Sequence, residues 1–301
     1  MSGSVTLSDT AVYALRLGDD ALVLSHRLAE WSSRAPALEE DIALTNIGLD
    51  LLGQARALLT YAGEVEGAGR SEDDLAYLRA EQEFTNCQLV EQPNGDFAVT
   101  MARQLFFSAY QLELYRCFAE SADATLAAVA AKAVKEVTYH VDHVAGWVIR
   151  LGDGTDESHR RMQAAVERIW PFTHELFESD EVTSRLAAAS TGVDPAGLKP
   201  AWQQRIAAVL AEATVEQPAE GWRPGGGRGG VHSEHLGFLL AEMQHLHRSH
   251  PGATWCPRRL PRPPRPGPPS PPWPIRRSPS SRSRTSASSA ASPWPTTAGS
   301  R

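Results

Sequence analysis

The sequence predicts an all-α fold, a bundle of four long helices with additional short helices around it. Apolar residues recur at spacings of three and four across long segments, the pattern of helix faces packed on a core. No run of alternating apolar and polar residues is long enough to build a sheet. The bundle is expected over residues 8–255 as one domain, and residues 256–301 are expected to form a disordered Pro/Arg/Ser-rich tail.

Ser8 or Asp9 is placed to cap the first helix, which runs to about Trp31 with Tyr13, Leu17, Leu24 and Leu28 as its stripe. Arg34-Ala35-Pro36 is the connector. The second helix covers about 38–64. Glu39, Glu40 and Asp41 suit its N-terminal dipole, and Gly63, Gly67 and Gly69 stop it. Ser71 with Asp74 reads as a cap opening a shorter helix through Tyr77, Leu78 and Phe84. Gln92-Pro93-Asn94-Gly95-Asp96 is a turn cluster. A long helix rich in Phe and Tyr follows over about 97–120, and another over about 123–151, closing at Gly152-Asp153-Gly154. A further helix spans about 158–177, and two weaker segments lie in 180–216. The glycine run at 225–230 reads as a flexible loop, and the last helix covers about 232–250.

Hydrophobic content of 42% is ordinary for a soluble protein. Neither a signal peptide nor a membrane span is apparent. The three cysteines fall in no paired spacing, which fits a reducing cytosol. The net charge of -7 hides a split: nine arginines lie from Cys256 onward without Lys, Asp or Glu, leaving 20 basic against 36 acidic residues, or -16, for residues 1–255. An acidic body argues against nucleic acid as the partner. The abrupt break at Cys256 is also what a shifted reading frame in GC-rich DNA would produce, and no function is assigned to the tail.

The second helix carries polar groups where apolar ones are expected. Leu44, Ile47, Leu51 and Leu58 form one face, while Asn46, Asp50 and Gln54 form a row at i, i+4, i+8 with Leu49, Leu52 and Ala57 around it. A helix apolar nearly all round is expected to be buried, so the row is either a hydrogen-bonded seam, a contact between subunits or a site. A di-iron carboxylate site in such a bundle takes a Glu from each of two helices and Glu-x-x-His from each of two others. Only Glu242 with His245 has that spacing, and a single pair is about what chance supplies. Glu136 has Tyr139 and His140 at i+3 and i+4, and Asp50 has Gly53 and Gln54. Asp50, Gln54, Glu136, Tyr139 and His140 are therefore candidates for a remnant site refilled with hydrogen-bonded groups, with Lys135 as a nearby cation; Tyr139, His140 and His143 also read as packing or interface residues. His232 to His235, after the glycine run and near Arg223 and Arg228, could form an anion site at a helix N-terminus. The glycine run lacks a P-loop ending, and no Gly-x-Ser-x-Gly element is present.

Several blocks are specific. DIALTNIGLDLLGQAR (41–56), LVEQPNGDFA (89–98), KAVKEVTYHVDH (132–143) and HSEHLGFLLAEMQ (232–244), with YALRLGDDALVLSHRLAEW (13–31), together resemble the PaaC family over about residues 10–255. Family members usually end near the equivalent of Trp255. The resemblance implies a ferritin-like bundle that serves as the structural subunit of the phenylacetyl-CoA 1,2-epoxidase complex, in the cytoplasm. It implies no cofactor and no catalytic or metal-ligating residue in this chain. Di-iron and acyl-CoA would belong to a PaaA-type partner subunit, and NADPH, FAD and iron–sulfur to a reductase subunit. The alternatives are an autonomous di-iron oxygenase and a small-ligand bundle using the 225–235 region for an anion.

Overall fold

The computed structural model describes residues 8–253; residues 1–7 and 254–301, and with them the tail expected from Cys256 onward, lie outside the described residues. The described residues contain ten α-helices joined by short 3-10 segments and no strand.

Helix α1 (Asp9–Ala29) is capped by Ser8, whose hydroxyl accepts from the Ala11 amide. Its connector turns through Ser33 at positive φ into α2 (Leu38–Glu66), which ends on Gly67 in the left-handed conformation. The chain then crosses the bundle through α3 (Glu72–Tyr77), opened by a Ser71/Asp74 capping box, a 3-10 turn (Glu81–Glu83) and α4 (Gln88–Glu91). The helix expected to continue to Phe84 stops at Tyr77, and α4 is a short helix that the pattern before the 92–96 turn cluster does not predict. Asp96 caps α5 (Phe97–Phe118), and Asp123 caps α6 (Ala124–Gly152). Next come α7 (Asp156–Ile169), a 3-10 segment (Trp170–Phe177), α8 (Glu181–Ala188), a 3-10 turn (Pro195–Leu198) and α9 (Lys199–Glu212). Pro171 explains why the helix expected to run to Phe177 changes to 3-10 winding after Ile169: it lacks the amide that the α-ladder needs. Helix α10 (Glu234–Ser249) closes the described chain.

The hairpins α1/α2 and α5/α6 form a four-helix bundle with one long crossover, a ferritin-like arrangement. Helix α1 packs on α2, α5 on α6, and α2 on α6. Between α1 and α5, Tyr13 stacks on Phe118 at 5.4 Å, and Trp31 Nε1 donates to Thr100 Oγ1 at 3.0 Å. Helix α5 is buried on every side from 98 to 112: Leu105, Phe106 and Phe107 are inaccessible, and so are Arg103, Gln104 and Ser108. Phe106 also meets Trp170 and Trp202, and Trp202 donates to the Phe106 carbonyl at 2.9 Å, which fastens α9 to α5.

The core of α1 holds two adjacent buried carboxylates. Asp19 accepts from the Arg79 guanidinium and from Thr85 through its amide at 2.9 Å and its hydroxyl at 3.0 Å. Asp20 accepts from the Cys87 amide at 2.8 Å and from Arg228 at 2.7 and 2.9 Å. These pairs clamp the crossover and the glycine run onto α1. The run at 225–230 is thus a packed clasp, in contrast to the flexible loop expected. A side chain on Gly227 would place Cβ 2.3 Å from the Asn86 carbonyl oxygen, and Gly230 combines φ of +80° with the same approach to Gln82. The glycines are there for close backbone contact.

Removing one partner of a buried ion pair strands the other charge and costs about 3–5 kcal/mol. Asp20→Ala is expected to lower unfolding stability by that amount in urea titrations. An Asp20→Leu/Arg228→Met double variant recovers most of the loss. A single variant within about 1 kcal/mol of wild type would contradict the clamp.

Candidate functional site

The polar row of α2 meets the middle of α6. A step of four residues turns about 40° past a full helical circuit, so the row winds inward along α2. Asn46 is exposed, the Asp50 side chain is 36% exposed, and Gln54 is buried. On α6, His140 is inaccessible, Glu136 is partly buried and Tyr139 is half exposed. The structure brings these groups together in pairs. His140 Nε2 lies 3.0 Å from Asp50 Oδ2. Gln54 Nε2 donates to Glu136 Oε2 at 3.1 Å, and its carbonyl oxygen accepts from Tyr115 at 3.2 Å and Gln111 at 3.4 Å. Lys132 supplies the cation for Glu136 at 3.2 Å, one turn back on α6; Lys135, expected in that role, is exposed. Further along the seam His143 Nε2 lies 3.1 Å from Glu40 Oε2, and Tyr139 stacks on the His143 ring.

This seam has its own electrostatic balance. Burial pushes the His140 pKa below the ordinary imidazole value, and the Asp50 contact offsets only part of that. A neutral His140 that donates from Nε2 to Asp50 leaves Nδ1 as a buried acceptor, and that atom has no hydrogen-bond partner. Two carboxylates, one imidazole and an amide, with an ammonium already on Glu136, fall short of the four carboxylates and two histidines of a di-iron centre. Among the described residues, no group of three or more His, Cys, Asp and Glu side chains is arranged to hold a metal ion. The donor set at Asp50, Gln54, Glu136 and His140 does not fit di-iron.

Glu242 and His245 lie on the exposed side of α10. The anion reading of 232–235 is corrected in an instructive way: the anion there is the protein's own. Glu91 is inaccessible and accepts from the Ser233 amide at 3.0 Å, the Ser233 hydroxyl at 2.8 Å and His232 Nδ1 at 3.1 Å. His232 Nε2 faces the Phe84 carbonyl at 2.9 Å, so both ring nitrogens meet acceptors. Burial opposes the charged imidazole, but these acceptors outweigh it and raise the pKa. Arg228 is committed to Asp20, and Arg223 pairs with Glu220.

Asp19, Asp20, Arg79 and Glu91 were not anticipated from the sequence. An Asp-Asp pair inside the apolar stripe of α1 was the available signal, because a mid-helix carboxylate among leucines requires a buried partner.

Similarity to known proteins points the same way as the fold. Residues 3–255 match the family PaaA_PaaC, described as phenylacetic acid catabolic protein. The chain is also 51% identical over 249 residues to the C subunit of the 1,2-phenylacetyl-CoA epoxidase of Escherichia coli (strain K12), a match covering 83% of this chain and 100% of that protein.

The sign of the His140 shift sets a pH dependence. Its folded pKa is depressed, so its contribution is complete above the unfolded value of about 6.5 and is lost as pH falls toward the folded value. His26 and His174 carry the same sign, and His232 the opposite one. His140→Gln is expected to flatten the acid-side slope of stability between about pH 7 and 5 by up to about 1.4 kcal/mol per pH unit. An unchanged slope in urea unfolding would refute the assignment.

Proposed function

We propose that this chain, which belongs to the PaaA_PaaC family of phenylacetic acid catabolic proteins, is the structural subunit of a phenylacetyl-CoA 1,2-epoxidase and pairs with a di-iron catalytic subunit of the PaaA type. The observation that carries this reading is the α2/α6 seam. Its candidate ligands are already bonded to one another, Asp50 to His140 and Gln54 to Glu136, with Lys132 on the remaining carboxylate oxygen. A metal would have to break these contacts and displace a cation. The relative from Escherichia coli, named as the C subunit of the epoxidase, supports the same assignment.

In this reading the oxygen chemistry, the acyl-CoA site and the electron input from an NADPH-dependent FAD and iron–sulfur reductase lie on other subunits. The part played here is mechanical. A rigid bundle covers one side of the catalytic subunit and holds its ligand-bearing helices, so that the metal site keeps its productive geometry. The hydrogen-bonded seam gives α2 and α6 the fixed register that a rigid support requires. The buried clasps do the same for the crossover and α10. Among the described residues no helix is long and apolar enough to cross a membrane; we place the complex in the cytoplasm.

Iron analysis tests the division of labour. The chain purified alone is expected to hold no stoichiometric iron, and co-expression with the PaaA-type subunit is expected to give about two irons per heterodimer. Two irons on the lone chain would overturn the reading in favour of an autonomous di-iron oxygenase. Asp50→Lys is expected to lower epoxidase activity of the reconstituted complex through folding or assembly. Iron per assembled complex stays at the wild-type level; normal assembly with depleted iron would contradict the proposal.

A further inference from the structure

Helix α10 begins without a cap of its own. Ser233 occupies the N-cap position, but its hydroxyl makes no bond to the first turn of the helix. It donates instead to Glu91 Oε2 at 2.8 Å, and the Ser233 amide donates to the same oxygen at 3.0 Å. The start of α10 is therefore held by contacts from a distant part of the chain. His232 completes them. Its side chain is 1% exposed, and those of Glu91 and Phe84 are inaccessible.

The two ring nitrogens of His232 face acceptors only. Nδ1 lies 3.1 Å from Glu91 Oε1, and Nε2 lies 2.9 Å from the Phe84 carbonyl oxygen. A neutral imidazole carries one N–H and one lone pair. Whichever nitrogen kept its proton, the other would turn a lone pair onto an oxygen in a site closed to water. Only the imidazolium, with two N–H groups, satisfies both contacts.

The surrounding charges provide no substitute. Arg27 of α1 donates to the backbone carbonyls of Glu91 and His235, not to the Glu91 carboxylate. Arg79 of the crossover is paired with Asp19 and lies over the Phe84 ring, and Arg228 of the clasp is paired with Asp20. Among the acids, Glu83 accepts from the Ala80 amide, and Glu175 accepts from the amides of Gln88 and Gly227. On α10 itself, Glu234 is exposed and His235 half-buried. Burial opposes the charge on His232, but Glu91, the Phe84 carbonyl and Glu81 together raise its pKa.

We propose that His232 is a proton-operated latch: its imidazolium fastens the first turns of α10 to α4 and the crossover, and loss of that proton releases them while the bundle stays closed. The latch is independent of the structural-subunit reading above. Release stops partway along α10. Gln244 donates to the carbonyls of Ala76 and Arg79, and Arg248 to those of Tyr77, Leu78 and Arg79, so the far half keeps its anchors without the imidazole. A raised folded pKa means that the stabilisation is complete below the unfolded value of about 6.5 and is lost as pH rises through the folded value. The latch is closed in mild acid and opens toward alkaline pH, the reverse of the His140 contact.

Two measurements on the full chain test this. NMR titration of the assigned His232 ring is expected to place its pKa above 6.5; titration at or below that value overturns the latch. Hydrogen exchange between pH 6 and 9, corrected for the intrinsic rate, is expected to show the opening constant at 234–240 rising by up to tenfold per pH unit above about 6.5, the limit for release of one proton. Amides of α5 and of the far half of α10 are expected to stay flat. A flat profile at 234–240, or an equal rise in α5, overturns the latch. His232→Gln, with one donor and one acceptor like the neutral ring, is expected to open more readily at every pH and to lose the slope. A slope that survives in this variant overturns the assignment to His232, and the wild-type ring titration decides the matter even if the variant fails to fold.

Discussion

Two neighbouring carboxylates on one buried helix hold the outer parts of this protein to its bundle. Asp19 and Asp20 are inaccessible, and each would be prohibitively costly to bury alone. Each is matched by an arginine from a distant part of the chain, Arg79 from the crossover and Arg228 from the glycine clasp. The pairing is mutual, because the buried guanidinium needs its carboxylate as much as the carboxylate needs it. The crossover and the approach to α10 therefore dock in one register. Glu91 extends the same device: its carboxylate joins α4 to the start of α10 through Ser233 and His232. Helix packing by itself tolerates sliding, whereas these charge-assisted contacts do not.

The same physics accounts for the seam between α2 and α6. A four-helix bundle with carboxylates and histidines at its centre is the usual setting for a metal pair. Here amide meets carboxylate, imidazole meets carboxylate and ammonium meets carboxylate. These contacts hold α2 and α6 in one register.

Helix α2 also shows why apolar content alone misleads. Its leucines on all sides suggest complete burial, yet the helix with the larger buried share is α5, which carries Arg103, Gln104 and Ser108 in its core. The reason is position. Helix α5 is enclosed by α6, α7, α9 and the 3-10 segments, whereas α2 touches α1, α3 and α6 and turns its remaining side outward. The Arg103 guanidinium donates to the Gln92 carbonyl and to Asn94 Oδ1 at 2.6 Å, and burial lowers its pKa to about 9. Part of the LVEQPNGDFA block exists to meet that charge.

The chain by itself determined the helix class, the four long helices and most of their ends. Those features are local: apolar spacing, the Ser71/Asp74 capping box, the Asp96 and Asp123 caps and the stop at Gly67 act within one or two turns. It also singled out Asp50, Gln54, Glu136 and His140 as one group, because regular helix spacing projects them to one side of each helix. Tertiary structure alone decided their pairing, the choice of Lys132 over Lys135, and the conversion of a glycine-rich loop into a packed clasp. It also decided that the anion at the start of α10 is Glu91, 142 positions before Ser233. Contacts of that separation depend on which surfaces the folded chain brings together, and no local pattern encodes them.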